Sequence, residues 1–143
     1  MKSVKFTVYG SPVAKGRPRF QRTHFGVRTF TPEKTAAYET LVKLSYQQQC
    51  AGEKLEGEIW ANIIAFFPIP KSTSKKKREE MELLKVMHTK RPDADNVVKA
   101  ILDAINGMAY DDDSQVCIVH AVKYYSEEPR VEVTLREIAE DDV

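Results

Sequence analysis

Residues 91–116 read RPDADNVVKAILDAINGMAYDDDSQV, and this stretch decides the fold around which the rest of the chain is arranged. Apolar residues recur at helical spacing from Val97 to Ile105, and Asn106-Gly107 is a typical helix stop, so the pattern predicts a helix. Asp93 directly precedes this helix and is suited to cap it. The acidic run 111–113 then forms a return loop that leads into a strand. The stretch therefore predicts a helix with carboxylates at its start and in the loop behind it.

The carboxylates of this stretch predict a divalent metal site. Asp93 and Asp95 lie at one predicted helix start, where their negative charges repel each other unless a cation binds. Mg²⁺ satisfies such a pair because it prefers oxygen ligands, and Mn²⁺ can substitute for it. Asp112 and Asp113 join the site if the return loop packs back beside the helix start. The candidate metal ligands are therefore Asp93, Asp95, Asp112 and Asp113.

Lys99 lies one helical turn after Asp95, and Asp103 follows one turn later. In one interpretation Lys99 forms only a surface ion pair, worth about 0.2–0.5 kcal/mol. In the other, its ammonium stabilises the negative charge that develops on a phosphate, or orients the attacking water. The spacing alone leaves both interpretations open.

The remaining elements are predicted from the period of the apolar residues. The first three are a strand at 4–8, a helix that starts at Thr31-Pro32 and runs to about 49, and a strand at 59–67 buried on both faces. A second helix follows, capped by Ser72-Thr73-Ser74 and with Met81, Leu84 and Met87 on one face. The helix after Asp93 and a hairpin over 116–136 complete the order. The order β-α-β-α-α-β-β predicts one α+β domain over residues 1–143, with helices packed on a mixed sheet. The acidic tail, 137–143, is expected to fray.

Positive charge is concentrated early in the chain. Residues 1–32 contain seven Lys/Arg and no Asp or Glu, whereas residues 101–143 contain three Lys/Arg and eleven Asp/Glu. Gly16, Pro18 and Gly26 predict an irregular basic loop over 15–30, and its interleaved aromatics suit phosphate contact and base stacking. A second basic cluster opens the second helix against the helix dipole. The candidate DNA-binding residues are Lys15, Arg17, Arg19, Arg22, Arg28, Lys75, Lys76, Lys77, Arg78, Lys90 and Arg91. Solvated charged faces are the alternative interpretation.

The cysteines and the hydropathy of the chain bear on its location. Cys50 and Cys117 have neither metal-pair spacing nor the number needed for a disulfide framework, which favours a reducing cytosol. The start of the chain has no uninterrupted apolar core for a signal peptide, and no run approaches the roughly 20 apolar residues of a membrane span. The expectation is a cytoplasmic protein without membrane contact.

The residues just described resemble a known family. Pro92–Lys99, Asp103-Ala104 and Asp112–Val116 are similar to the signature of the RusA-type Holliday-junction resolvases. Lys15–Arg19 and the segment from Thr31-Pro32 to Tyr38-Glu39 are similar to the phage and prophage branch from Gram-positive bacteria. The segment His88–Arg91 resembles a His-x-x-Lys segment that often precedes the motif, with Arg91 in place of the usual Lys. With these segments, the resemblance extends over nearly the whole chain.

The resemblance implies a function and a set of roles. It implies a homodimeric, Mg²⁺-dependent endonuclease that cuts four-way DNA junctions by paired nicks in recombination and repair, without a nucleotide cofactor. By matching position, Asp93, Asp95 and Asp113 would be essential metal-binding carboxylates and Lys99 the catalytic lysine. Asp112 matches a second acidic position.

Two other interpretations fit the Asp-x-Asp pattern. One is a nucleotidyl or glycosyl transferase that uses Mg²⁺ on a nucleoside diphosphate, which would need a nucleotide-sized pocket and no long basic surface. The other is a non-catalytic DNA-binding module whose acidic loop only folds the chain.

Overall fold

A computed structural model describes residues 1–15, 19–24, 26–30 and 33–139. Over these residues the elements are β1 (Ser3–Tyr9), β2 (Arg19–Thr23), β3 (Gly26–Phe30), α1 (Glu33–Cys50), β4 (Ile59–Pro68), α2 (Lys75–Glu82), α3 (Ala94–Ala104), a 3₁₀ turn (Asp113–Gln115), β5 (Val116–Ser126) and β6 (Arg130–Glu137). The predicted α+β domain and its order β-α-β-α-α-β-β are confirmed, and the hairpin β2–β3 is an addition to that order.

The main sheet is mixed, with the strand order β1-β6-β4-β5. Strand β6 is antiparallel to both β1 and β4, whereas β5 is parallel to β4. The predicted hairpin over 116–136 is therefore wrong, because β5 and β6 pair with opposite edges of β4. The segment with α2 and α3 supplies the long crossover that a parallel pair needs. Strand β4 ends at Pro68, beside Ser126 at the end of β5. The short connection from β5 to β6 therefore passes over the end of β4, and the two strands it joins lie on either side of β4.

The core lies on one face of this sheet. Alternate residues of β1, β4 and β6 are buried there, for example Phe6, Ile63 and Val133, and they pack in one cluster with Tyr46 of α1 and Ile101 of α3. Full burial of each such side chain is worth about 1.5–3 kcal/mol. On the opposite face of β4, Trp60, Asn62 and Ile64 are only half-buried, whereas Phe66 is buried. The prediction that this strand is buried on both faces is therefore wrong for Trp60 to Ile64 and confirmed at Phe66.

The basic segment after β1 contains regular structure. Strands β2 and β3 pair antiparallel from Arg19↔Phe30 to Thr23↔Gly26, so the prediction of an irregular loop is wrong for residues 19–23 and 26–30. Gly26 has φ +135°, a conformation that favours glycine, so it serves the turn of a hairpin. Gly16, Arg17, Pro18 and Phe25 lie outside the described residues, and so do Thr31 and Pro32, the predicted start of the first helix.

Helix α2 is shorter than predicted. Ser74 caps it, accepting a hydrogen bond from the Lys77 N–H at 3.3 Å, as expected. The helix ends at Glu82, and Leu84 has φ +60°, which a helix cannot contain. Of the three residues predicted to share an apolar face, Met81 is buried, whereas Leu84 and Met87 are exposed.

The end of β6 is hydrogen-bonded to the start of the chain and to the segment before β4. Glu137, predicted from the sequence to lie in a fraying tail, ends β6 and accepts hydrogen bonds from the backbone N–H groups of Lys2 at 2.9 Å and Glu56 at 2.8 Å. Residues 140–143 lie outside the described part of the chain.

Cys50 is buried and Cys117 exposed, and they are not bonded to each other. None of the helices in the described ranges has the length and apolar character needed to cross a bilayer.

Candidate active site

The start of α3 presents two exposed carboxylates. Asp93 occupies the N-cap position, as predicted, but its side chain makes no capping hydrogen bond. A capping bond at this position is typically worth about 1 kcal/mol, so Asp93 forgoes a local stabilisation. Its backbone carbonyl accepts from the N–H groups of Asn96 at 3.1 Å and Val97 at 3.2 Å. Asp95 in the first turn is also exposed. Both carboxylates therefore present their oxygens to solvent.

Lys99 is exposed on the same helix, between Asp95 and Asp103. The ion pairs found within 4.0 Å among the described residues do not include Lys99, and Asp103 pairs with Lys15 instead. The interpretation of Lys99 as half of a surface ion pair therefore finds no support in the structure. Its ammonium, like the carboxylates before it, is available to an external ligand.

The return loop uses Asp112 to hold its own backbone. The Asp112 carboxylate accepts hydrogen bonds from the Ser114 N–H at 3.3 Å and the Asn106 side-chain amide at 3.4 Å. The hydrogen bonds with Ser114, followed by that with Asn106, lower the pKa of Asp112. In return, the side-chain oxygen of Gln115 accepts from the Asp112 N–H at 3.0 Å, which completes a capping box. Asp112 is thus engaged in folding the loop.

Asp113, in the 3₁₀ turn, lies beside Asp103, which belongs to the C-terminal half of α3. Partial burial, a hydrogen bond with Asp103 and the charges of Asp112 and Asp103 raise the pKa of Asp113. The sequence pattern instead predicts this loop at the start of the helix. Asp103 follows Asp95 by eight residues, which is about 12 Å along a helix axis at 1.5 Å per residue. In the described ranges, no three His, Cys, Asp or Glu side chains gather into a group that could hold a metal. The predicted single pocket for all four carboxylates is therefore not formed there.

Lys15 ties the first part of the chain to α3. Its backbone N–H donates to the Asn96 carbonyl at 3.2 Å, while its ammonium pairs with the Glu39 carboxylate of α1 and lies 3.7 Å from an Asp103 oxygen. The hydrogen bond with Glu39 is the main reason that the pKa of Lys15 is raised. Because carboxylates of the protein already neutralise this ammonium, Lys15 is poorly suited to bind a DNA phosphate.

The other predicted DNA-binding residues are distributed over three places. Lys75, Lys76 and Lys77 are exposed on the first turn of α2, whereas Arg78 is engaged with Glu127 at 2.6 Å and the Pro70 carbonyl at 3.3 Å. Lys90 and Arg91 are exposed, three and two residues before Asp93. Arg22 is exposed on β2, and Arg19 and Arg28 are strand residues of the same hairpin. Arg17 lies outside the described residues.

The segment that enters α3 is docked on the sheet through His88, which the family resemblance included, and through Lys123, which sequence reasoning missed. The His88 ring stacks on Phe67, with centroids 3.8 Å apart and planes at 13°. Burial, followed by the nearby Lys123 ammonium, lowers the pKa of His88, so the ring is neutral at neutral pH. Lys123 itself donates to two carbonyls of the segment. In the sequence it is a lone lysine in an apolar strand, and only the parallel pairing of β5 with β4 could have drawn attention to it.

Comparison with known proteins identifies the family of the chain. The family model described as "Endodeoxyribonuclease RusA" matches residues 9–136, nearly the whole chain. The chain belongs to the RusA endodeoxyribonuclease family. Over 141 residues it is also 42% identical to "Uncharacterized protein YqaN" from Bacillus subtilis (strain 168), with 97% of this chain and 99% of that protein covered.

Membership of the RusA family confirms the resemblance seen in the sequence. It makes the chain an endodeoxyribonuclease, a hydrolase that cuts phosphodiester bonds within DNA, and it implies branched DNA as the class of substrate. The two alternatives, a transferase acting on a nucleoside diphosphate and a non-catalytic DNA-binding module, are therefore not retained.

Proposed function

We propose that this RusA-family chain is a Mg²⁺-dependent endonuclease that resolves four-way DNA junctions by paired nicks, in recombination and repair, as a cytoplasmic homodimer. The observation that carries the proposal is the start of α3. There the Asp93 carboxylate forgoes its capping bond, Asp95 is exposed beside it, and Lys99 one turn later takes part in none of the described ion pairs. Exposed side chains at the family motif that have no ion-pair partner among the described residues suit contact with metal and substrate.

The donor atoms at the start of α3 fit Mg²⁺. Asp93 and Asp95 offer only oxygen, and Mg²⁺ is commonly held by one or two carboxylates together with waters and substrate phosphates. Mn²⁺ accepts the same ligands. Such an ion, when bound, would supply Lewis-acid stabilisation of the scissile phosphate and a water of lowered pKa. Asp113 stays a predicted ligand on the strength of the resemblance, although its described neighbour is Asp103. Asp112 is the weaker candidate because its carboxylate already accepts a hydrogen bond from the Ser114 N–H of the loop.

The roles of the protein groups follow from their charges. The Asp93 and Asp95 carboxylates would hold the metal ion close to the DNA, where the reaction needs its positive charge. The Lys99 ammonium, four residues after Asp95, is suited to stabilise the extra negative charge on the phosphate as the water attacks. Because contacts of Lys and Arg with phosphates read no bases, binding is expected to depend on the shape of the DNA and on salt.

The three lysines at the start of α2 provide a test of the DNA surface. Replacing Lys75, Lys76 and Lys77 together by Gln should weaken junction binding, and should flatten the plot of log affinity against log salt by about 0.9 for each phosphate that is no longer neutralised. Helix α2 should not be weakened, since cations in the first turn oppose the helix dipole. Fluorescence anisotropy with a labelled four-way junction over a salt series measures both quantities.

The matched control replaces three other exposed lysines, Lys5, Lys34 and Lys43, by Gln, with the same loss of charge. The control variant should bind with an affinity lower only by the general effect of net charge, and with the salt slope of the wild type. Equal slopes in all three proteins would remove α2 from the DNA surface.

A homodimer is proposed because two symmetric cuts require two active sites related by a two-fold axis. The open face of the sheet offers a surface for the second copy. Half-buried apolar residues of paired strands lie side by side there, Ile64 next to Val122 and Trp60 next to Ile118. Asn62 and His120, hydrogen-bonded to each other at 2.7 Å, lie between these two apolar pairs, and an Arg136 guanidinium lies over the Trp60 ring at 4.5 Å, so the surface combines apolar and polar groups.

Two valines on opposite faces of β5 test this interface. Val122→Asp places a charge in the apolar face and should convert the protein from dimer to monomer, as measured by sedimentation velocity, with paired nicks replaced by single nicks. Val119→Asp is the matched control, since Val119 is 46% exposed and alternation puts it on the other face. A monomeric wild type, or a dimeric V122D protein, would show that this face is not the interface.

A further inference from the structure

The chain that leads into α3 has no regular structure, yet it is attached to β5 at three points. The Lys123 ammonium donates to the carbonyl of Lys90 and to the carbonyl of Pro92, each at 2.7 Å. The Lys123 carbonyl accepts from the His88 N–H at 3.0 Å. One residue of the sheet therefore binds the segment 88–92 with both its side chain and its backbone.

The surroundings of Lys123 direct its ammonium inward. In the parallel ladder Lys123 is paired with Ala65, a buried residue on the core face of β4. The ammonium lies 5.9 Å from the centroid of the Phe67 ring, the same ring on which His88 stacks. The His88 ring also contacts Tyr125, with centroids 5.1 Å apart. Lys123 is therefore half-buried between the sheet and the segment, where its hydrogen bond to the Pro92 carbonyl is partly buried and its hydrogen bond to the Lys90 carbonyl is exposed.

The bond to Pro92 is the one that matters for the site. The Pro92 carbonyl belongs to the peptide unit that joins Pro92 to Asp93, so a bond that fixes this carbonyl also fixes the plane from which Asp93 starts. Asp93 forgoes its own capping bond, which would otherwise have oriented its side chain. The bond from Lys123 to the Pro92 carbonyl therefore supplies, from outside the helix, a constraint on Asp93 that the missing capping bond does not.

We propose that Lys123 is a positioning residue for the active site, which holds the segment 88–92 on β5 so that Asp93 and Asp95 are set for the metal. The inference rests on the proposed function of these two carboxylates. Lys123 touches neither metal nor DNA in this role, and it acts only through the carbonyls of Lys90 and Pro92. Small displacements of groups around a reacting centre have large effects on rate, so the loss of this clamp should be seen in turnover.

The first experiment compares nicking by the wild type, K123M and K123R. Methionine has a similar length but no donor, so K123M should lower kcat on a labelled four-way junction by about tenfold or more and should raise the Mg²⁺ concentration needed for half-maximal rate. Arginine keeps the donors, so K123R should recover most of the activity. Junction affinity without divalent metal, its salt slope and the thermal midpoint should stay near wild type. Lys43→Met, an exposed lysine of α1, is the control for loss of charge.

The second experiment needs no activity. Hydrogen exchange followed by mass spectrometry should show faster exchange at the amides of 88–97 in K123M, and unchanged exchange in α1. If the wild type fails to nick DNA while this local change is seen, the proposed function fails and the clamp stands. Should K123M not fold, K123Q, which keeps one donor, should show the same changes to a smaller extent.

Three results would overturn the inference. Wild-type exchange and kinetics in K123M would show that the clamp has no effect on the site. Weaker junction binding with a flatter salt slope and unchanged Mg²⁺ dependence would make Lys123 a DNA contact. Faster exchange throughout the chain with a lower thermal midpoint would make it a residue of general stability.

Discussion

Asp95→Asn is expected to bind four-way junctions like the wild type and to lose Mg²⁺-dependent nicking by about 100-fold or more, since a ligand charge contributes several kcal/mol to the transition state. The amide has nearly the same shape as the carboxylate but no negative charge and only one oxygen acceptor. Asp95 is exposed, and the ion pairs described do not include it, so the free energy of unfolding should change by less than about 0.5 kcal/mol. Gel analysis of a labelled junction measures nicking, and anisotropy measures binding.

Asp111→Asn is the matched control for this experiment. Asp111 belongs to the acidic return loop, its side chain is 83% exposed, and it pairs with Lys54 at 2.6 Å. It carries no proposed role in the reaction, so D111N should nick at the wild-type rate. Wild-type rates in D95N would remove Asp95 from the site. A wild-type protein that binds junctions and never nicks them in Mg²⁺ or Mn²⁺ would contradict the proposed function as a whole.

Lys99→Met is the second change with a large expected effect. It should lower kcat by about 100-fold, because a preorganised positive group aimed at developing charge is worth about 2.7–4 kcal/mol in comparable sites. The KM for the junction should change little, since one lysine among many phosphate contacts adds little to binding. Single-turnover nicking at saturating Mg²⁺ separates the two effects, and a thermal melt should show a protein as stable as the wild type, because the described ion pairs do not include Lys99.

Lys34→Met, which removes an exposed lysine of α1, controls for the change in net charge. If K99M kept the wild-type kcat and bound the junction more weakly, Lys99 would be a phosphate contact away from the scissile bond. If K99M were markedly less stable, the surface ion pair of the alternative interpretation would regain support.

Local signals in the sequence were sufficient to predict α3. Its apolar period, the Asp93 cap position and the Asn106-Gly107 stop all concern residues within a few turns of each other, and the structure confirms them. The same holds for the Ser74 cap of α2, whereas the end of that helix was predicted too late because Leu84 and Met87 continue the apolar period without being buried.

The pairing of the strands could not be predicted in this way. A short polar turn between two alternating segments indicates a hairpin, yet β5 and β6 pair with opposite edges of β4. The choice depends on burial of the core face of the whole sheet, which involves residues about sixty positions apart, such as Ile63 and Ala121. Likewise, glycines and a proline in the basic segment concealed the hairpin β2–β3.

For the candidate site, the structure shows where the predicted residues lie, and their roles stay predictions. The spacing singled out Asp93, Asp95 and Lys99, and the structure leaves all three exposed. The contact of Asp113 with Asp103 depends on where a loop meets a helix after a turn, which no residue pattern specifies. The engagement of Lys15 with Glu39 and Asp103 was equally out of reach, since a basic segment looks the same whether its lysine faces phosphate or a carboxylate of the protein.

That engagement has a mechanical consequence. Lys15 lies four residues before Arg19, the first residue of the β2–β3 hairpin, and it is bonded to α3 at Asn96 and to α1 at Glu39. A displacement of α3 relative to α1 would therefore have to break or stretch a contact of Lys15, because this one residue is bonded to both helices.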